Sequence, residues 1–533
     1  MNLTANKGRL IIIALAVCGI VSLIVGGVGF AFFDEIIRFF MKKELTLKPG
    51  NEFFDIWKEL PIPVYQKIYI FNITNPDEYS MEGAKPILQE LGPYVFRGRW
   101  MKEDMEWDES DGTVTYRDIK EYTFVPEMST GDQEEMVYTL NGPLLAVINY
   151  VEDYAPFFFR SFVAELMNGI FESYNETLLI HRTVRELVYE GYHEPMVADL
   201  IKVVEGFLNI PLKLVNNTFG ILHERKHIGD GVFKVKSGTN GIEDYAAIQT
   251  WNNKSVVDWW EGEECNKIKG TDGVQYSPGV TQESLLSLFN PNLCRSIPLE
   301  YEKDVTVHGI KTLRFGMPSN TFATSDINPA NECYCQGDHC RAGILPMNCK
   351  KGAPYVISMP HFLEGDEQLQ TAVEGVHPSA EKHKTYVDVE PITGFVLNAA
   401  FRVQLNGVAR KLPEFNPVVN VSDSIVPVLW MSEEAQLDIP FAKYFKSRVQ
   451  NPILVFKVLC LIAIAVGGIW AVSSLVVCMC NRAKVKPETL KGSLMLKTLN
   501  SVYTSVALWP PPEDELKNGQ IPENGAAGEK THL

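Results

Sequence analysis

The chain has 533 residues, of which 46% are hydrophobic and 22% charged, and its formal net charge is −17. It is long enough to bury a large core, and the acidic balance argues against a nucleic-acid partner, because phosphate binding wants clustered Lys and Arg. There is no internal repeat and no long low-complexity segment.

Residues 1–9 form a short N-terminus that carries Lys7 and Arg9. Leu10 to Phe33 follows as 24 residues without a charge, enough for a helix to span roughly 30 Å of hydrocarbon. A cleaved signal peptide is the competing reading. Its apolar region would be about 7–15 residues long and would end at a small-residue cleavage site; none follows here, so an uncleaved transmembrane helix over 10–33 is expected. A second uncharged stretch, Val458 to Cys480, lies near the other end and is followed by Arg482, Lys484 and Lys486. The basic flank predicts a cytoplasmic C-terminus. With two spans, at 10–33 and 453–480, the N-terminus is then cytoplasmic as well, and residues 34–452 face outward.

Between the spans, Lys48-Pro49-Gly50 punctuates the exit from the first one. Strand-like runs follow at Tyr65–Phe71, Pro93–Arg97 and Thr113–Val125, with Asp111-Gly112 as a hairpin turn. From Pro143 to Tyr192 the period becomes helical. Phe158, Phe162, Leu166 and Ile170 recur every fourth residue beside Phe159, Val163 and Met167, while Arg160, Glu165 and Glu172 take the other side. Packing against a neighbouring helix and an apolar surface offered to a lipid or partner are both compatible with this stripe. Thr183-Val184-Arg185-Glu186 has capping-box spacing and predicts a further helix start. Phe395 to Asn406 alternates apolar and polar residues as a half-buried strand does, and Ile425–Trp430 reads as a strand buried on both faces.

Six cysteines fall within 265–349: Cys265, Cys294, Cys333, Cys335, Cys340 and Cys349. The even number, the intervening Gly, Pro and Asn, and the lack of a C-x2-C pair favour disulfides over zinc, and hence an oxidising compartment. Sequence alone leaves 15 connectivities open. The N-x-[ST] sequons at Asn72, Asn175, Asn216, Asn253 and Asn420 all lie between the spans and are expected to carry glycans; Asn2, on the cytoplasmic side, is not.

The tail, 481–533, is rich in Pro, Gly and charge at its end. Cys478 and Cys480 sit at the membrane boundary, where S-palmitoylation is common. Tyr503-Thr504-Ser505-Val506 fits a tyrosine-based sorting signal, and Thr531-His532-Leu533 fits a C-terminal peptide for a PDZ domain.

One motif suggests metal chemistry. His223-Glu224-Arg225-Lys226-His227 satisfies H-E-x-x-H, which binds zinc when two histidines stand one helical turn apart beside a Glu base. Here it lies between Gly220 and Gly229-Asp230-Gly231, too short and too polar for a helix with a face to bury, so a solvated loop is expected. No G-x-S-x-G, P-loop or G-x-G-x-x-G occurs. We expect no catalytic residues, no metal and no cofactor.

Leu47-Lys48-Pro49-Gly50, Phe71-Asn72-Ile73-Thr74-Asn75-Pro76, Gly92-Pro93-Tyr94, Gly270-Thr271-Asp272, Cys294-Arg295-Ser296, Pro360-His361-Phe362 and Glu390-Pro391-Ile392-Thr393-Gly394, in this order and with the six cysteines, resemble the class B scavenger receptor family. The resemblance runs from the first span through the second. It implies a mixed α+β ectodomain, an antiparallel β-barrel with an apical helical bundle and a hydrophobic tunnel towards the bilayer. It also implies the pairings Cys265–Cys333, Cys294–Cys349 and Cys335–Cys340. The Phe158, Phe159, Phe162 and Met167 surface falls where the family places its apex and is the candidate ligand contact. At two positions where relatives carry lysines for anionic ligands, this chain has Ser173 and Asn175, with Glu172 and Glu176 beside them.

The implied function is a cell-surface receptor that binds lipids, lipoproteins or lipid-carrier proteins and transfers fatty acid, sterol or carotenoid to the membrane. The alternative is a phagocytic receptor for apoptotic cells or microbial surfaces. The tail lacks an acidic di-leucine, so the plasma membrane is the expected location and the endosomal or lysosomal membrane the alternative.

Overall fold

The computed structural model describes residues 2–204, 214–223, 229–334, 340–347, 349–350 and 353–484. It divides into two units, one of residues up to Ala31 together with those from Val458 onward, the other Phe32–Lys457.

In the first unit the N-terminal helix Asn2–Ala31 packs on the C-terminal helix Asn451–Lys484. Glycine makes the contact. A Cβ on Gly26 would stand 2.8 Å from the Cys460 carbonyl oxygen, and one on Gly467 2.8 Å from that of Gly19, so the two backbones approach as small-residue helix pairs do in membranes. The large apolar side chains, Ile24 and Leu475 among them, stay exposed. Both helices are long and apolar enough to cross a membrane.

The second unit is built on one antiparallel sheet. Its strands are β1 Val64–Ile73, β2 Leu88–Asp108, β3 Thr113–Phe124, β4 Gly231–Lys236, β5 Ile248–Trp251, β6 Leu286–Asn290, β7 Arg295–Val307, β8 Ile310–Gly316, β9 Ile344–Pro346, β10 Tyr355–Ser358, β11 Tyr386–Val389, β12 Val396–Ala409 and β13 Ser424–Gln436. The order is β6-β7-β8-β11-β12-β13-β1-β2-β3-β4-β5, with β10 on β12 and β9 on β10. The expected closed barrel is not found, because no ladder joins β5 to β6 among the described residues. Gly270 and Thr271 lie between these two edges instead. Ile248 N–H donates to the Gly270 carbonyl at 2.9 Å, and Thr271 N–H donates to that of Ser287 at 3.1 Å. Gly270 has φ 90°, and a Cβ there would collide with the Ser287 carbonyl, so only glycine fits.

Strand extents depart from local expectation where charge interrupts the pattern. β2 continues far beyond Arg97 because pairing with β3 persists to Asp108 opposite Thr113. On β12 the polar parity is also covered: Gln404 and Asn406 are fully buried and bonded to each other at 2.7 Å, with Asn406 donating to the Ser358 hydroxyl at 3.0 Å. A buried amide is tolerated when its bonds are met, so alternation here does not mean a solvated face.

Helices α1 Gly142–Tyr154 and α2 Phe157–Tyr174 form the helical part. Asn141 caps α1 through its side-chain oxygen, which accepts from Leu144 N–H at 3.1 Å. The face of α2 that packs inward is Val163, Ala164, Met167 and Phe171, not the Phe158/Phe162 line. The capping box at Thr183 forms, with Glu186 N–H donating to the Thr183 hydroxyl at 3.2 Å and Thr183 N–H to the Glu186 carboxylate at 3.1 Å. It starts only the short turn Glu186–Glu190, which ends at Gly191 with φ 77°.

Disulfides join Cys265 to Cys333 and Cys294 to Cys349. Cys340 is also oxidised, and its implied partner Cys335 lies outside the described residues. A second fastening is aromatic. His361 and His383 stack with ring centroids 4.4 Å apart, and the Glu90 carboxylate sits 2.6 Å from His361 Nε2 while accepting from Trp430 Nε1 at 2.7 Å. Burial, then the neighbouring His361, pushes the His383 pKa down to about 4.

Two outcomes follow from these fastenings. Closing the loop between Cys294 and Cys349 stabilises the fold by about 4 kcal/mol in the chain-entropy account, so Cys294→Ser is expected to accumulate with immature glycans in the early secretory pathway; glycosidase sensitivity measures it. His383 stays neutral in the folded state below its ordinary pKa, so its stabilising contribution is complete above about pH 6.5 and is lost as pH falls towards 4. His383→Phe keeps a ring in the stack without the titration. Its melting temperature is expected to fall less than that of wild type between pH 7 and 5.

Candidate functional site

The candidate site is the interior of the sheet. Alternation along β3 puts Val114, Tyr116, Asp118, Lys120 and Tyr122 on one face, and the same side chains that begin as buried apolar residues end as a charged group. Two cavities open on this face, of about 390 and 120 Å³. The larger falls in the range of small-molecule sites. It is lined by the first turn of α1 (Gly142, Pro143, Ala146), by Phe219 to Leu222, and by Val403, Leu405 and Met431. The smaller is lined by Ile62, Val64, Phe233, Leu299, Val387 and Ala399. Strands from both ends of the sheet order therefore face one interior, which requires the sheet to curve strongly.

Lys120, Asp230, Asn290, Phe401 and Glu433 line both cavities, so the two meet there. Lys120 Nζ donates to Asp230, lies 3.7 Å from Asp118, and stands 4.3 Å from the centre of the Trp100 ring. Burial alone would lower the Lys120 pKa, but Asp230, Asp118 and Glu433 outweigh it and hold the ammonium charged. Asp118 is pushed up, chiefly by burial. Glu433 accepts from the Tyr122 hydroxyl at 3.0 Å and from Gln66 Nε2 at 3.1 Å, both on Oε1. Tyr189 donates to Gln66 in turn, and Asn292 Nδ2 donates to Asp230 at 2.7 Å. Deeper in the smaller cavity Asp272 pairs with Lys102 at 3.2 Å.

The residues singled out from sequence lie elsewhere. Phe158 is 91% exposed, with Phe157, Phe159, Phe162 and Tyr154 exposed around it, whereas Met167 is 0% exposed and belongs to the core. Met167 is thus no part of that surface; it lies on the inward face of the helix. α1 connects the two regions: its first turn lines the larger cavity and its end reaches the exposed aromatics, about 18 Å away by helical rise. Ser173 is exposed, but Glu176 turns inward, its carboxylate accepting from Asn141 Nδ2 at 2.6 Å.

Asn175, Asn216, Asn253 and Asn420 are exposed, while Asn72 is half-buried and its side-chain oxygen accepts from Tyr138 N–H at 2.8 Å. Cys478 and Cys480 are exposed free thiols on the C-terminal helix. His223 lines the larger cavity and bonds to the Tyr189 carbonyl at 3.1 Å; Glu224 to His227 lie outside the described residues, as do Tyr503 to Val506 and Thr531 to Leu533. Sequence reasoning passed over the Lys120, Asp230 and Glu433 cluster. The one signal was the i, i+2, i+4 series Asp118-Lys120-Tyr122, charged on the side of the strand that starts with Val114 and Tyr116.

Residues 17–478 match the profile of the CD36 family. The chain belongs to the CD36 family. Lysosome membrane protein 2 of Rattus norvegicus is 31% identical over 428 residues, covering 80% of this chain and 86% of the relative. Scavenger receptor class B member 1 of Bos taurus is 30% identical over 438 residues, covering 81% and 82%. The family expected from the motifs is the family found, and the two terminal apolar helices are candidate membrane spans of this CD36-family member.

The charged cluster makes a direct prediction. Lys120→Met leaves Asp118 and Asp230 buried without their cation, a loss of about 3–5 kcal/mol for a broken buried pair. Lys120→Met combined with Asp230→Asn is expected to recover part of that loss. Chemical denaturation of the full chain in detergent, comparing both variants with wild type, gives the two values.

Proposed function

We propose that this chain is a cell-surface lipid receptor. Its outward unit takes an apolar ligand from a carrier particle or protein and passes it through the interior of the sheet, closed in function into a barrel, to the membrane. The observation that carries the reading is the pair of adjoining cavities, lined mainly by apolar side chains from nearly every strand. An enclosed apolar route spares a lipid the cost of crossing water, about 0.8 kcal/mol for each exposed CH2.

The exposed aromatic surface around Phe158 supports carrier docking, because contiguous apolar patches on a soluble face mark interaction sites. The names of the relatives, a scavenger receptor and a lysosome membrane protein, frame the location as plasma membrane with traffic to lysosomes. Glycans on the four exposed sequons, acyl chains on Cys478 and Cys480, and a PDZ-domain protein at Thr531-His532-Leu533 complete the proposal for a protein with both termini cytoplasmic.

Uptake of labelled lipid, measured together with surface level, tests the reading. Phe158→Glu is expected to reach the surface with mature glycans, since the side chain is exposed, and to lose most carrier-delivered uptake. Met167→Glu places a charge in the core and is expected to be retained inside the cell. Val403→Trp fills the larger cavity and is expected to abolish uptake while carrier binding persists. Normal uptake by Val403→Trp at normal surface level would overturn the internal route.

A further inference from the structure

The helix Phe33–Leu45 carries two apolar stripes, and the rest of its unit covers one of them. Ile37, Met41 and Leu45 recur every fourth residue and pack into the same apolar cluster as Ile62, Phe233 and Phe289, which line the smaller cavity. Ile36, Phe39, Phe40 and Lys43 follow the i, i+3, i+4, i+7 spacing on the opposite side. Phe39 is 68% and Phe40 51% exposed, and Arg38, Lys42 and Lys43 around them are exposed as well. A second apolar stripe left in water is unfavourable and marks a surface with a partner.

Chain continuity says what that partner is. Phe39 follows Ala31, the end of the first candidate span, by eight positions, about 12 Å by helical rise. Phe32 between them leaves helical geometry, with φ −104° and ψ 25°, so Phe33–Leu45 is a segment of its own. The Phe33 ring stacks on that of Phe456 at 5.8 Å, with Lys457 Nζ 5.7 Å from the Phe33 ring centre. Phe456 stands two positions before Val458, where the second uncharged stretch begins. The two chain segments that lead to the bilayer are thus held together at the start of this helix, which keeps its second stripe within reach of the bilayer surface.

The charges select the kind of lipid. Asp34 and Glu35 lie in the first turn and Lys42 and Lys43 in the last; with Arg38 and Glu44 the helix has three bases and three acids. Its net charge is zero, so it has no excess of base to call for anionic lipid. Lysines beside the aromatic rings can still extend to phosphate oxygens while the rings sit at the headgroup–acyl boundary.

We propose that the helix Phe33–Leu45 is an interfacial membrane anchor. Ile36, Phe39 and Phe40 enter the headgroup–acyl boundary of the adjacent leaflet, and Lys42 and Lys43 hold phosphate groups of zwitterionic phospholipids. Because its other stripe is built into the wall behind the smaller cavity, the anchor sets which end of the outward unit meets the bilayer. It does not depend on lipid passing through the interior.

Fluorescence quenching tests the anchor. Full-length protein in nanodiscs of phosphatidylcholine, one chain per disc, carries a genetically encoded fluorescent residue in place of Phe39 or, as a water-facing reference, of Phe158, which is 91% exposed. The quenchers are nitroxide-labelled phosphatidylcholine and aqueous iodide. At position 39 the lipid nitroxide is expected to quench roughly threefold more, and iodide roughly threefold less, than at position 158, as suits a depth of about 5–10 Å. The pattern is expected to persist at about 1 M salt, where the screening length is about 3 Å. Phe40→Glu is expected to return position 39 to iodide while the melting temperature stays that of wild type, since the side chain lies outside the core.

Equal iodide quenching at 39 and 158 without lipid quenching would overturn the anchor. So would lipid quenching that appears only when phosphatidylserine is added, or a normally melting Phe40→Glu that leaves quenching at 39 unmoved. Protection from iodide seen only in discs that hold two chains would assign the stripe to a second copy and overturn the anchor too. Each of these outcomes leaves the lipid route standing, because uptake reports on that separately.

Discussion

Backbone pairing between β1 and β13 joins the first strand of the 32–457 unit to its last, with Val64 opposite Ala435 and Ile70 opposite Leu429. It is the single junction at which the sheet order passes from late strands to early ones. Without it the sheet would part into β1 to β5 and β6 to β13, each with a new open edge of unpaired N–H and C=O groups. The cavities depend on the same junction, because β2 and β3 stand on one side of it and β11 and β12 on the other, and both sides line them. Such a pairing closes a very long loop, so it gives nothing locally and has to be repaid by burial on both faces. The buried runs of β1 and β13 supply that burial.

The interior tolerates charge because every charge has company. Lys120, Asp118, Asp230, Tyr122, Gln66 and Glu433 form one connected network. Desolvating such a group costs several kcal/mol per ion and is seldom recovered in full, so the cluster is not explained by stability. Apolar side chains of similar size would hold this part of the sheet at least as well. It stands where two mainly apolar cavities meet.

The helical part shows the complementary arrangement. α2 keeps Phe157 and Phe158 exposed at its start, while Val163, Ala164, Met167 and Phe171 are buried. Small residues such as Ala164 on the inward face let α2 lie close on α1, and Phe157 and Phe158 stay exposed among the described residues. An amphipathic helix normally does the reverse, which makes the exposed side the informative one.

Much of this was legible in the sequence. The uncharged runs, the cysteine cluster, β1, β3, β13 and the helical period of 142–174 each follow from local chemistry, since span length, turn residues and a period of two or 3.6 are properties of neighbouring residues. The motif Gly270-Thr271-Asp272 was legible as a family mark but not as a reason; only the fold shows Gly270 lodged between two sheet edges where no side chain fits. Periodicity grouped Phe158 and Met167 on one apolar surface, whereas the fold exposes the first and buries the second, because which residues are covered depends on what another element brings to the helix. The same holds for Gln404 and Asn406, polar yet buried, and for Lys120 and Glu433. These last two are 313 residues apart in the chain, and their shared cavity exists only because β13 pairs with β1. Local sequence sets the elements and their two faces; which face is inside, and which distant charges meet there, is decided by strand pairing across the whole chain.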